Sequence, residues 1–173
     1  MIEQITSFNF NTTPRIIYGA NVAKDASPFS KLMGDRILLV TDRGLTNLGL
    51  YEDLLKNLEK YDATVTLFDD VEADPSLKTL EKAISVGKDI DCTGVVGFGG
   101  GSSMDVAKLT ALVLGSGENL ENAWGVGNAT GPRLPLCLIP TTAGTGSEVT
   151  PVSIITVDAV SYTHLTLPTK RIV

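Results

Sequence analysis

The sequence predicts an α/β fold, a Rossmann-like parallel sheet with helices on both faces. Short apolar runs alternate along the chain with longer segments whose apolar residues recur at helical spacing, the signature of βαβ units. Runs such as Arg36-Ile-Leu-Leu-Val-Thr41 and Gly94-Val-Val-Gly-Phe98 are continuously apolar, as strands covered on both faces are. The second of these runs passes through Gly99-Gly-Gly101 straight into a helical pattern, giving a strand, a glycine turn and a helix start in sequence.

The elements follow in order. A short β segment is expected around Phe8 and Phe10 and again over Arg15-Ile-Ile-Tyr18, ending at Gly19. Asn21 can cap a short helix, and Pro28 starts its second turn. The Arg36–Thr41 strand carries Asp42 at its C-terminal tip. From Leu45 to Tyr61, Leu50, Leu54, Leu58 and Tyr61 mark one helix. Ala63–Phe68 alternates as a strand and stops at Asp69-Asp70. Asp74-Pro75-Ser76 opens a helix with Leu77, Leu80 and Ile84 inward. After the glycine turn come strands at Leu136–Ile139 and Val152–Val157. Gly125 to Gly131 is glycine-rich but is followed by Pro132 and Pro135, so it reads as a loop.

The glycine turn carries the first chemistry. Without Cβ atoms another molecule can approach its backbone, and a helix N-terminus offers free N–H groups and partial positive charge to a phosphate. The pattern Gly97-x-Gly99-x-x-Ser102 has Ser where the usual dinucleotide fingerprint has Gly or Ala. Ser102 and Asp105 form an S-x-x-D capping box, which suits a phosphate site and a purely structural turn equally. The helix continues through Val106, Leu109 and Val113 on one face.

Composition narrows the function classes. At 173 residues, 43% apolar, the chain can bury a core as one domain. A net charge of −6 disfavours nucleic acid and anionic membrane surfaces as partners. No run reaches membrane-spanning length and the N-terminus carries no basic-then-apolar signal. Cys92 and Cys137 lack metal-ligand spacing and read as reduced core residues of a cytoplasmic protein.

A second constellation is Pro140-Thr-Thr-Ala-Gly-Thr-Gly-Ser-Glu-Val-Thr150. Thr141, Thr142, Thr145, Ser147 and Thr150 put five hydroxyls on a loop of small residues directly after a strand. In a parallel sheet ligands bind beyond the carboxyl ends of the strands, where Asp42, the Gly99 to Ser102 turn and this loop all fall.

Gly99-Gly-Gly-Ser-x-x-Asp-x-Ala-Lys108 followed by this threonine loop resembles the iron-containing (group III) alcohol dehydrogenases, as do Thr13-Pro-Arg-Ile-Ile-Tyr-Gly-Ala20 and Leu39-Val-Thr-Asp42. The resemblance runs from about Phe8 to Val157. It implies an N-terminal dinucleotide-binding domain like that of the dehydroquinate synthases and a C-terminal helical domain holding Fe2+ or Zn2+. It further implies hydride transfer between a small alcohol or aldehyde and a nicotinamide, and self-association of the full-length protein. By that resemblance Gly99, Gly100, Gly101, Ser102, Ser103 and Asp105 cradle the cofactor diphosphate. Thr141, Thr142, Thr145 and Thr150 line the cofactor between diphosphate and nicotinamide. Asp42 accepts from the adenosine ribose, which favours NAD over NADP, with Arg43 beside it softening the preference. Asp74 is either an adenosine contact or a helix cap. Lys108 either reaches the cofactor or is a solvated partner of Asp105, and Glu148 is structural.

The family's metal ligands, an Asp and several His in the helical domain, have no counterpart here: His164 stands alone. Residues 1–157 are therefore expected to be the dinucleotide domain, without the helical metal domain. Residues 158–173 do not resemble the family, and one codon choice for Val160 to Thr169 spells the transposase adapter used in sequencing-library preparation. That tail is expected to be translated adapter, the alternative being a divergent native end. Two other functions fit the residues, a non-catalytic dinucleotide-binding module and a polyol dehydrogenase or dehydroquinate synthase-like relative.

Overall fold

The computed structural model describes residues 12–125 and 127–157 and, for the backbone, 160–166. Its centre is a four-stranded parallel sheet in the order β2-β1-β3-β4, built from β1 (Arg36–Val40), β2 (Thr64–Phe68), β3 (Gly94–Gly99) and β4 (Leu136–Pro140). Successive side chains of a strand point to opposite faces, and the sheet sorts its apolar residues accordingly. Leu38, Val40 and Val95 pack on one face with α4 (Leu77–Asp89) and α5 (Gly101–Ser116). Ile37, Leu39, Val96 and Phe98 pack on the other with α1 (Ser30–Met33) and α3 (Glu52–Glu59), through Met33, Leu54 and Leu58. Both faces are covered, which explains why these strands are continuously apolar.

α5 is the central helix. Every residue from Ser103 to Leu112 is buried, so the face expected at Val106, Leu109 and Val113 is part of a helix enclosed on all sides. It lies close to the sheet because Gly97 has no side chain. A Cβ there would stand 2.8 Å from the Ala107 Cβ and 3.3 Å from the Met104 Cα.

Several elements differ from the sequence reading, each for a local reason. The helix expected over Leu45–Tyr61 is two, α2 (Arg43–Asn47) and α3, parted at Gly49, whose φ of +66° ends a helical run. Asn21 precedes a 3-10 turn over Val22–Lys24 in the left-handed region and makes no side-chain cap. The cap of α4 is Ser76, whose hydroxyl accepts from the Thr79 amide at 3.2 Å; Asp74 lies outside it, at φ +51°. Arg15–Tyr18 forms no strand, finding no ladder partner among the described residues and leaving Ile16, Ile17 and Tyr18 exposed. The segment around Phe8 and Phe10 lies outside the described residues.

β5 (Val152–Val157) stands apart from the parallel sheet and pairs antiparallel with β6 (Val160–Thr166). Its inner side packs on α5, and Thr156 N–H donates to the Pro75 carbonyl at 2.9 Å. The two cysteines are unpaired and sit on opposite faces, Cys92 against the α4/α5 cluster and Cys137 against the α1/α3 cluster.

Candidate functional site

The chain leaves β1 toward β2 on one side, while β3 lies on the other. The carboxyl ends of β1 and β3 therefore flank the crevice where strand order reverses, the usual ligand position in open α/β sheets. Asp42 follows β1 and the glycine turn ends β3. Asp42 Oδ1 accepts from Leu45 N at 3.1 Å, capping α2, and Oδ2 lies 3.4 Å from where a Cβ on Gly99 would be. Gly99 itself has φ +153°, and its absent Cβ would meet the Ser103 hydroxyl at 2.7 Å. Only glycine fits this turn.

The S-x-x-D capping box does not form. The N-cap of α5 is Gly100, which has no side chain to offer, and Ser102 lies inside the first turn. Asp105 instead turns inward. The amides of Gly101, Ser102 and Ser103 consequently have no acceptor among the described residues, at the N-terminus of a 16-residue helix. Three free donors beside a helix dipole form an anion cradle.

The threonine loop closes over this cradle. Thr141 N–H donates to the Gly99 carbonyl at 2.9 Å, carrying the β3–β4 ladder one residue past the strand. Beyond it, Thr142 Oγ1 lies 3.4 Å from the Cβ position of Gly100, and Thr145 Cβ lies 3.6 Å from that of Gly101. Thr145 donates to Glu148 at 3.1 Å, and Thr141, Thr142, Thr145 and Thr150 are solvent-exposed.

Two cavities meet at Ser102. One of about 380 Å³ is bounded by Asp42, Arg43, Glu72, Gly100, Ser102 and Ser103. The other, about 230 Å³, is bounded by Gly101, Ser102, Asp105, Thr145 and Ser147, with Ile154 and Thr156 of β5 across from them. Thr141, Thr142 and Thr150 line neither.

The sequence reading passed over Glu72 and β5 as parts of this site, and named Ser147 only as one of the five hydroxyls of the loop. Glu72 could have been suspected, since it follows the carboxyl end of β2 beside the switch point. It accepts from Ser76 N at 2.9 Å and from the Thr79 hydroxyl at 2.7 Å. Burial works against its charge, but these donors outweigh it and hold the carboxyl below its ordinary range. Arg43 is engaged by Asp70 in an ion pair.

Behind the threonine loop lies a buried pair. Lys108 is 1% exposed, with Nζ 2.9 Å from Asp105 Oδ1, so it is the i,i+3 partner of Asp105 but not a solvated one. Its ammonium donates to the carbonyls of Ser147 (3.0 Å) and Val152. Asp105 accepts from Ser147 Oγ at 2.6 Å and from Ile154 N at 3.0 Å. Burial pushes the Lys108 ammonium below the ordinary lysine range, against the pull of Asp105.

The residues present fit a dinucleotide: a cradle that a Cβ would fill, free amides, a carboxylate lining the same cavity and a second cavity beyond. They do not fit a catalytic metal, since among the described residues no three His, Cys, Asp or Glu side chains converge. No helix among them is long and apolar enough to cross a membrane.

Comparison with known proteins agrees with this fold. Residues 13–171 match the family model for iron-containing alcohol dehydrogenase, a span that reaches beyond Val157, where the sequence resemblance was expected to stop. The chain is 35% identical to the NAD-dependent methanol dehydrogenase of Bacillus methanolicus over 86% of its own length and 39% of that protein's. It superposes on a crystal structure of a 1,3-propanediol oxidoreductase with a TM-score of 0.87 at 28% identity, covering 94% of this chain and 44% of that one. It also superposes on the sulfoacetaldehyde reductase of Bifidobacterium kashiwanohense in complex with NAD+, with a TM-score of 0.80 at 26% identity, covering 94% and 44%. The chain thus spans about two fifths of the length of the relatives it matches. By sequence and by fold, it belongs to the iron-containing alcohol dehydrogenase family.

Proposed function

We propose that residues up to Val157 are the dinucleotide half of an NAD-linked, metal-dependent alcohol dehydrogenase that interconverts a small alcohol and its aldehyde or ketone. The observation that carries this is the uncapped N-terminus of α5, open at the switch point between Asp42 and the threonine loop. When bound, NAD supplies the hydride acceptor. The amides of Gly101, Ser102 and Ser103 donate to its diphosphate, with Gly99 and Gly100 keeping the approach clear. Asp42 accepts from the adenosine ribose hydroxyls and repels a 2′-phosphate. Arg43, held by Asp70, adds little attraction for that phosphate. Thr142 and Thr145 face the diphosphate-to-nicotinamide stretch, and Thr141 and Thr150 fix the two ends of their loop. Asp105 acts from behind it.

The relatives' names support this reading: one is NAD-dependent and another was crystallised with NAD+. The described residues offer no metal ligand set, so the Fe2+ or Zn2+ implied by the family is assigned to a part of the protein outside them, and no step is derived through it. The family resemblance extends the reading to a self-associating cytoplasmic enzyme, and the net charge of −6 disfavours nucleic acid and anionic membrane surfaces as partners. We also propose that residues 158–173 are translated adapter; resequencing the source locus across their codons tests it, and a confirmed native codon string overturns it.

Titration calorimetry with NAD, NADP and ADP tests the main reading. Binding of NAD and ADP, with NADP at least about tenfold weaker, is expected. Absence of binding by all three sinks it. A second reading, a non-catalytic dinucleotide module, takes its support from the described residues, among which no metal ligands converge. It predicts the same binding, but no alcohol oxidation by the complete polypeptide encoded at the locus when metal is supplied.

A further inference from the structure

We infer that Asp105 and Lys108 are positioning residues: a buried ion pair on α5 that holds the threonine loop and β5 at a fixed distance from the glycine turn, without touching the dinucleotide. The inference rests on the nucleotide-site reading above.

The valences of the pair are spent inside the protein. Asp105 Oδ1 takes Ser147 Oγ (2.6 Å) and the Lys108 ammonium (2.9 Å), and Oδ2 takes the Ile154 amide (3.0 Å). Lys108 has three donors. Besides Asp105, it meets the Ser147 carbonyl at 3.0 Å, the Val152 carbonyl and, at 3.5 Å, the Thr150 carbonyl. With Lys108 at 1% and Asp105 at 8% exposure, little of either is left for a ligand.

The segment they hold needs such an anchor. The threonine loop leaves the sheet after β4, and β5 does not join the parallel ladder. Between Thr141 and Val152, the side-chain hydrogen bonds that tie this segment to the helix run to two residues one helical turn apart, Asp105 and Lys108. The same helix begins with the anion cradle. One rigid element therefore carries the phosphate donors on its first turn and the anchor of the opposite wall on its second. The spacing between the two walls is set by helix geometry and does not depend on loop stiffness.

The expected consequence divides the ligand. ADP reaches the cavity beside Asp42 and the cradle at Ser102; the remainder of NAD enters the second cavity, whose far wall at Ser147 and Ile154 the pair holds in place. In Lys108→Met, calorimetry of the full chain should find ADP affinity within about twofold of wild type and NAD affinity down about tenfold, since a wall displaced by an ångström loses its contacts while the cradle keeps its own. Equal losses for ADP and NAD with a steeper salt dependence in the wild type would mean that Lys108 touches phosphate, and the inference fails. Unchanged NAD affinity also overturns it. Should Lys108→Met not fold, hydrogen exchange on the wild-type chain decides. The Ile154 amide, donated to Asp105, should be protected before any nucleotide is added, and exchange at the rate of an open loop removes the anchor. A wild-type chain that binds neither ADP nor NAD overturns the nucleotide reading itself; a wild type that binds both, with Lys108→Met losing both equally, overturns only the positioning role.

Discussion

The two walls of the proposed nucleotide site are built on opposite plans. The glycine turn works by what it lacks. Its strand is buried throughout and laddered on both sides, its residues carry no Cβ, and its helix start has no cap. The threonine loop works by what it carries, exposed hydroxyls on a segment outside the sheet, held from behind by one charged pair. The first wall is part of the core and inherits its stability from packing. The second borrows its position from two buried side chains, so its geometry and its fold can be lost separately.

The largest expected effect breaks the second wall. Asp105→Ala leaves the Lys108 ammonium buried without its counter-charge and should cost about 3–5 kcal/mol, read as a lowered urea midpoint. A loss under about 1 kcal/mol would mean the pair is incidental. Next, two glycines of the first wall should respond in opposite ways. Gly97→Ala drives a methyl into Ala107 and the α5 backbone and should destabilise by about 1–3 kcal/mol. Gly101→Ala meets only an ordinary contact with Thr145 at 3.6 Å and lies in the first turn of a helix, so stability should hold within about 0.5 kcal/mol. Its NAD affinity should nevertheless fall about tenfold, because the new methyl occupies the approach to the cradle. If Gly101→Ala binds NAD normally, the turn is structural. Thr142→Val removes one exposed hydroxyl and should weaken NAD by about 1 kcal/mol without changing the melting temperature.

The smallest effect is a pH dependence at the rim. Glu72 has its folded carboxyl held below its ordinary value of 4.5, so its stabilisation is complete above that value and is lost as pH falls through the lower, folded one. In melts from pH 7 down to pH 3, wild type should therefore lose more stability than Glu72→Gln, and parallel curves would remove Glu72 from the account.

What could be read from the sequence was local or periodic. The strands over 36–41, 63–68, 94–99 and 136–139, and the nearness of Asp42 to the glycine turn, followed from apolar runs and from the rule that parallel sheets gather their polar ends at one edge. What could not be read depended on distant partners. Ser102 and Asp105 spell a capping box, yet Asp105 finds Ser147 and Ile154, 42 and 49 residues away, and those contacts outcompete the local one. Lys108 looks like a surface residue because nothing in its neighbourhood reveals three carbonyls arriving from beyond residue 146. Val152–Val157 has the composition of a sheet strand, and composition does not say which sheet. Gly49 was visible but reads as a tolerated helix glycine until its φ is known.

The placement of the cysteines has a practical consequence. Burial pushes the Cys137 thiol up to about 12 and raises Cys92 as well. At pH 8 the reactive thiolate of Cys137 is about one part in ten thousand, far below that of an exposed thiol. Cys137 is thus a poor target for maleimide chemistry, and burial shifts Cys92 in the same direction. A cysteine placed at exposed Thr145 would label in preference to the two buried thiols, and the fluorophore would report the change of environment at the loop as nucleotide is added.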